Sequence, residues 1–352
     1  MIISKEFKSF LKKANVLISN NRNQSVQGVL IDRKSGQAVA STGYVQLVFN
    51  IEDILTDEVF VLPITAIKFL LSFDEGKSVN LDYSSEQKSV TVKCGKSHSK
   101  FPLLDTTAYP IMDAAVPNWN SIDDDIIKFI VQTSINADVR SAIIAARGIN
   151  IVKDNDKMYC YSCDGTCLTS AEIPVDSKFE GINIPQSIVP YISEFSESNN
   201  IEMGISDNAR KIVIKDNNMS LTASLIDGFA SDLIPQLNVA LKDANVCTVN
   251  KRELLAVLQR VAVVSQTKRI ILTFSPDEII IKSHDEVVEF EDSVSVTNSK
   301  VNEAKSVGLY VNQLIKQLGC YGDELKIYSK DKLNPIVFQG NGISSLIMPI
   351  RI

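Results

Sequence analysis

The chain has 352 residues, 45% of them hydrophobic and 22% charged, with a formal net charge of −6. That length suits two or three domains, each able to bury a core without disulfides, and the composition excludes a disordered chain. The acidic balance excludes a surface coated in nucleic acid, so any DNA contact needs a local basic patch.

The longest apolar stretches, such as those at residues 59–62 or 142–146, fall far short of the ~20 residues that cross a bilayer. No membrane partner is expected. Residues 1–6 show no basic region followed by an apolar core, so nothing directs secretion and a cytoplasmic location is expected. The six cysteines are read as reduced, partly buried thiols.

The first predicted element is an amphipathic helix with Phe7, Phe10, Leu11 and Ala14 on one face and Lys5, Lys8 and Lys12 on the other. β-rich runs follow at 26–31 and 44–49. A second helix, Ile64–Leu71, is entered from Pro63 and left near Gly76, and a strand pair at 79–83 and 89–93 closes the unit.

The same order then recurs. A helical segment carries Ile126, Ile127, Phe129 and Ile130, β-rich runs lie at 148–152 and 157–162, a helix is expected over 185–195, and strands follow at Ile201–Ile205 and Lys211–Lys215. A third copy opens with Leu254, Leu255, Val257, Leu258 and Val261. It continues through a helix at Val311–Leu318, with Gly319 at its exit, to strands at 325–329 and 335–339. The starts lie about 120–125 residues apart, a domain-sized period. Each unit reads as an α+β domain with two helices packed on antiparallel sheet, and the boundaries give domains at 1–118, 119–243 and 244–352.

Several short motifs fall in register with these units. Asp138-Val139-Arg140, followed by Tyr161-Ser162-Cys163-Asp164-Gly165-Thr166-Cys167-Leu168, resembles the Asp-Val-Arg helix exit and Thr-Asp-Gly-His-Arg-Leu turn of the bacterial DNA polymerase III beta subunits, the beta sliding clamps. Ser224-Leu225-Ile226-Asp227-Gly228 with Asp232 is similar to that family's Ser-Lys-Leu-Ile-Asp-Gly-Arg-Phe-Pro-Asp-Tyr segment. Arg260-Val261-Ala262-Val263-Val264-Ser265 resembles its Arg-Ala-Ala-Ile-Leu-Ser, and Met348-Pro349-Ile350-Arg351-Ile352 its terminal Met-Pro-Met-Arg-Leu. The likeness spans essentially the whole chain. It departs at Thr166 and Cys167, where the family turn carries His and Arg, and at Ser231, which replaces the proline after the family's Phe.

The resemblance implies a non-enzymatic processivity factor of three clamp domains, two copies forming a six-domain ring around double-stranded DNA. It implies a homodimer, and as partners the replicative DNA polymerase, an ATP-driven clamp loader and other proteins with a clamp-binding motif. Helices lining the hole would offer Lys5, Lys8, Lys12, Arg22, Lys128, Arg140 and Lys316 to phosphates, reading no sequence. A partner-peptide pocket would have Ile143, Gly165, Thr166, Cys167 and Leu168 on one wall and Leu346, Met348, Pro349, Ile350 and Arg351 on the other. Tyr109, Val263 and Val264 would meet at the joint between copies. A repeat-built interaction scaffold that never encircles DNA shares these sequence features.

Other chemistry finds no support. Cys160, Cys163 and Cys167 cluster, but a zinc site needs four ligands and only His98 and His284 lie elsewhere; no metal and no cofactor is expected. Asp123, Asp124 and Asp125 are read as complementing a helix dipole. No phosphate-binding glycine loop, nucleophile elbow or zinc-protease motif is present.

Overall fold

A computed structural model describes residues 2–19, 27–51, 56–208, 210–229, 233–284 and 288–351. Arg22, Val26, Ser231, Asp232 and Ile352 lie outside the described residues.

Three successive stretches of chain follow one element order. The first runs from an isolated bridge at Ile2 to α1 (Lys5–Ser19), then β1 (Gly28–Asp32), β2 (Gln37–Ser41), β3 (Val45–Asn50) and β4 (Val59–Pro63). It ends with α2 (Ile64–Leu71), β5 (Asn80–Ser84), β6 (Ser89–Cys94) and β7 (Ser97–Pro102). The second comprises β8 (Trp119–Ile122), α3 (Asp124–Thr133), β9 (Gly148–Asp154), β10 (Lys157–Cys163), β11 (Cys167–Glu172), β12 (Ile182–Pro185), the short α4 (Val189–Ile192), β13 (Ile201–Ile205), β14 (Lys211–Lys215) and β15 (Met219–Ser224).

After α5 (Leu233–Leu241) the third stretch comprises β16 (Asn245–Asn250), α6 (Lys251–Val264), β17 (Arg269–Phe274), β18 (Glu278–His284), β19 (Glu289–Thr297) and β20 (Lys305–Tyr310). It closes with α7 (Val311–Leu318), β21 (Glu324–Ser329), β22 (Ile336–Gly340) and β23 (Ile343–Ile347). Each stretch is thus one strand or bridge, a helix, four strands, a helical segment and three strands.

The chain forms two compact units, and the second stretch contributes to both. Unit 1, residues 1–124 and 190–225, holds an eight-stranded sheet in the order β4-β1-β2-β3-β15-β14-β13-β8 and a three-stranded sheet β5-β6-β7. Unit 2, residues 125–189 and 226–352, holds a twelve-stranded sheet in the order β12-β9-β10-β11-β23-β22-β21-β16-β19-β18-β17-β20.

Local chemistry accounts for the helices. Phe7, Phe10, Leu11, Ala14 and Ile18 of α1 are buried, and the ring of Phe49 on β3 lies 5.4 Å from Phe7 and 5.5 Å from Phe10. Ser4 caps that helix, accepting from the Phe7 amide at 3.1 Å. Asn250 caps α6 by accepting from the amides of Arg252 and Glu253 at 2.9 and 3.3 Å, and Leu254, Val257, Leu258 and Val261 form its buried stripe.

Between the two β-rich runs of the first stretch the structure inserts a further strand, β2, which pairs with both β1 and β3. One expectation needs correction. The helix expected over 185–195 is a 3-10 turn, the four residues of α4 and a second 3-10 turn. Pro190 removes an amide donor there and prevents a continuous α-helical ladder.

Candidate functional site

The candidate pocket residues lie in unit 2, around the seam where β11 meets β23. Cys167 pairs with Ile347, Leu168 with Leu346 and Thr169 with Ser345. Side chains alternate across this sheet, so the seam has two chemically different faces.

One face looks toward α3 and α7 and is polar at its centre. Gln317 of α7 donates to the Asn136 carbonyl oxygen at 2.6 Å and accepts from Thr169 at 2.7 Å and Ser345 at 3.1 Å. The Asn136 amide group donates to Thr169 at 2.8 Å, and the Tyr321 hydroxyl donates to Ser345 at 2.5 Å. All five side chains are buried, and burial raises the Tyr321 phenol far above its ordinary value. Mutual satisfaction makes this burial tolerable.

The opposite face is apolar. Val152, Tyr161, Leu168, Val337 and Leu346 form one buried cluster with Ile234, Leu237 and Ala240 of α5, and Tyr159 and Cys163 pack against its margin. Beside α5 the surface opens into a groove of about 600 Å³ whose lining includes Tyr159, Glu172, Leu237, Leu241, Lys326 and Gln339.

A tight turn frames one end of the seam. Asp164 accepts from the amides of Thr166 and Cys167, both at 2.8 Å, and from the Thr166 hydroxyl at 2.7 Å. Gly165 has φ +92°, a conformation that favours glycine. Thr166 in turn accepts from Gln313 of α7 at 2.9 Å through its hydroxyl and from the Met348 amide at 2.9 Å through its carbonyl. Thr166, Cys167, Leu168, Leu346 and Met348 are therefore brought together. Met348 is 44% exposed beside buried Leu346, so its side chain is available to a ligand.

The remaining pocket candidates separate from that centre. Beyond Pro349 the chain turns to β20, where the Ile350 amide bonds to the Gly308 carbonyl at 2.9 Å; Arg351 is exposed. Ile143 is 65% exposed on a loop that the Asp138 amide closes onto the Ala146 carbonyl at 2.8 Å. Asn183 ties this loop to the Asp227-Gly228 segment, donating to the carbonyls of Gly228 at 2.9 Å and Ile144 at 3.4 Å.

The sequence reading missed α5. Its sign was present: Pro235 in the first turn, with Ile234, Leu237 and Leu241 at helical spacing.

The clustered thiols diverge. Cys160 is buried beside Thr133 on the α3 side, whereas Cys163 lies at the edge of the α5 cluster. Burial pushes Cys160 and Cys167 up to about 12 and raises Cys163, so these are protonated thiols at neutral pH.

Among the basic candidates, Lys5 and Lys12 are exposed on α1. Lys8 is half-buried and donates to the Phe73 carbonyl at 2.8 Å, which ties its ammonium to the protein. Lys128 on α3 is exposed and 3.3 Å from Asp125, and Lys316 is exposed on α7. Arg140 stands on the Ile143 loop rather than on a helix, so the Asp-Val-Arg segment is not a helix exit; α3 ends at Thr133 and a 3-10 turn at Asn136.

Of the joint candidates, Val263 and Val264 are exposed at the end of α6, Val263 by 82%. Tyr109 is a correction. It is 7% exposed, its hydroxyl donates toward the Val39 and Gly28 carbonyls at 2.8 and 3.0 Å, and burial pushes it up to about 12. It is a core residue of unit 1 with little surface to offer a second chain.

No family model matches the chain. A beta sliding clamp of Caulobacter vibrioides is 20% identical over 309 residues, covering 82% of this chain and 81% of that protein. A sliding clamp (DNA polymerase III subunit beta) of Bartonella birtlesii bound to griselimycin superposes with a TM-score of 0.86 at 18% identity, covering 99% of this chain and 98% of that one. A DNA polymerase sliding clamp of Pseudomonas aeruginosa with a ligand gives 0.84 at 17% identity and 98% of both chains. The chain has the sliding-clamp fold over nearly its whole length and, in sequence, is a homologue of the beta sliding clamps of DNA polymerase III.

Proposed function

We propose that this protein is a replication sliding clamp: it encircles duplex DNA and tethers a polymerase to the template, performing no bond chemistry itself. Three clamp domains, at 1–118, 119–243 and 244–352, would be doubled by a second copy into a six-domain ring. Tethering works by effective concentration, because a polymerase held on the template rebinds faster than it is lost. A ring needs no high affinity for DNA, which fits a chain with a net charge of −6.

The observation that carries this reading is the thrice-repeated element order in a chain that matches clamp structures over 98–99% of its length. Within it, Lys5, Lys12, Lys128 and Lys316 are the surface cations assigned to phosphates, and Arg22 is retained from the sequence. Lys8 supports α1 instead, and Arg140 belongs with the Ile143 loop.

The partner-peptide site is assigned to the apolar face of the β11–β23 seam. Met348 is the exposed anchor, Leu168 and Leu346 the floor, α5 one wall, and Ile143 with the Gly165–Thr166 turn the rim. Polymerase, clamp loader and other clamp-binding proteins would share this site through short linear peptides.

Retention on DNA of defined topology tests the function. The protein, loaded by a clamp loader onto nicked circular DNA, should elute as a complex of a dimer of twice 38.8 kDa with DNA and be lost when the circle is linearised. Retention that does not depend on DNA ends would reject encirclement and favour an interaction scaffold.

A further inference from the structure

Resting on the partner-site reading, we infer that Asn150 and Asn183 are positioning residues for that site: their side-chain amides hold its rim, the Ile143 loop and the Gly228 segment, against the sheet. The two asparagines lie directly opposite one another on β9 and β12. Asn150 also lies opposite Tyr161 on β10, so it faces the side of the sheet on which Val152, Tyr161, Leu168 and Leu346 pack beneath α5.

The threefold repeat shows what these positions do elsewhere in the chain. Gly28 pairs with Pro63, Gly148 with Pro185 and Arg269 with Tyr310, and in each case the second residue immediately precedes a helical segment. Two residues further along the ladder, Leu30 with Val61, Asn150 with Asn183 and Ile271 with Gly308 are therefore equivalent pairs. Their backbones act alike: the carbonyls of Val61, Asn183 and Gly308 accept from the amides of Leu104, Ile226 and Ile350 at 3.3, 2.9 and 2.9 Å. Their side chains do not. Leu30 and Val61 belong to an apolar cluster with Val39 and Tyr109, and only the second stretch places an amide at both positions. The ladder thus forms without an asparagine pair.

Both asparagines are fully buried. Asn150 donates to the Ala145 carbonyl at 2.8 Å, and Asn183 donates to the carbonyls of Gly228 at 2.9 Å and Ile144 at 3.4 Å. Because the NH2 groups must face these carbonyls, the side-chain oxygens face away, and neither oxygen has a donor among the described residues. A buried acceptor without a donor lowers stability, and proteins retain such a cost where function needs it. What the pair gives in return is an ordered rim. The Ile143 loop closes on itself through the Asp138 amide on the Ala146 carbonyl and Arg147 on the Ser141 carbonyl, both at 2.8 Å. The asparagines then tie this closed loop to the sheet and to Gly228, against which Ile144 lies. An incoming peptide therefore meets a rim whose ordering it need not supply.

Rebuilding the first stretch's apolar pair as N150L/N183V tests this. The valine has room, since Val61 stands against Gly28 as Asn183 does against Gly148. Ile144 and Gly228 are exposed, so the carbonyls set free can turn to water. Anisotropy with a labelled clamp-binding peptide should show affinity lowered about five- to tenfold, because binding must now order the rim. The melting temperature should equal or exceed that of the wild type, and hydrogen exchange should quicken at 138–147 and 226–228. N150L alone, which frees only the Ala145 carbonyl, should give an intermediate affinity. Wild-type affinity in folded N150L/N183V overturns the positioning role, whatever its melting temperature, and Met348→Ala weakening the peptide in the same assay shows that the site itself stands. Should the double variant fail to fold, N183V decides: lowered affinity supports the role and wild-type affinity rejects it. Absence of peptide binding by the wild type rejects the partner site and the positioning role with it.

Discussion

Leu168 and Leu346 lie directly opposite one another across the seam of β11 and β23, under the buried face of α5, while Met348, two residues further on, stands 44% exposed. A core residue and the proposed ligand anchor are therefore two residues apart at the end of β23, and substitutions should separate them. Met348→Ala is expected to weaken binding of a clamp-binding peptide by roughly tenfold or more, as loss of an interface anchor does, with dimer mass and urea midpoint unchanged. Leu346→Ala should instead cost about 2–4 kcal/mol of stability by leaving a cavity beneath α5. Fluorescence anisotropy with a labelled peptide and urea titration check the pair; equal peptide affinity in Met348→Ala rejects the anchor.

Gln317 is the hub of the polar network on the other face of that seam. Gln317→Leu removes its three acceptor contacts and one donor contact and leaves the buried side-chain oxygen of Asn136 without its donor. The expected loss is about 2–4 kcal/mol in urea unfolding, from buried groups left unsatisfied. Additional replacement of Asn136 and Thr169 by apolar residues should recover part of it.

The lysines of α1 divide by environment. Lys12→Glu should shorten residence on nicked circular DNA, and the effect should shrink as salt is raised. Lys8→Met keeps the aliphatic stem but loses the bond to Phe73, so it should lower stability by about 1 kcal/mol and change DNA residence less than Lys12→Glu does. Residence times of the two variants measured side by side decide this.

Burial raises Cys160, Cys163 and Cys167, so at pH 7 the protonated thiol dominates and reactive thiolate appears only as pH climbs. Iodoacetamide labelling followed by mass spectrometry should be slow at pH 7 and accelerate above pH 9. Half-buried Cys163 should react first, and a bound peptide should protect it. Rapid modification of Cys167 at pH 7 would contradict its burial.

Local patterns carried most of what the sequence disclosed. The buried positions of α1 and α6 follow from apolar spacing, and β13 with β14 from alternation bounded by turn residues. Long-range pairing was illegible: nothing local states that Phe49 meets Met219 or Leu168 meets Leu346. Tyr109 misled because a tyrosine reads alike at an interface and in a core, and only its three backbone partners settle the matter. In α5, Pro235 falls in the first turn, where a proline costs a helix little, so Ile234, Leu237 and Leu241 could have disclosed it by their spacing. Ile143 and Arg140 were credited to different surfaces because their shared loop is set by the distant Ala146 carbonyl and Asn183.

Alternation gives the Thr169–Ser345 pair a further consequence during folding. Slippage of β23 by a single residue would turn Ser345 outward toward α5 and press a leucine against the Gln317 amide. The misaligned chain would then lose its hydrogen bonds and its hydrophobic contacts together. Hydroxyls on one side and leucines on the other act as a two-sided key, so that separate parts of the polypeptide find each other in a single alignment.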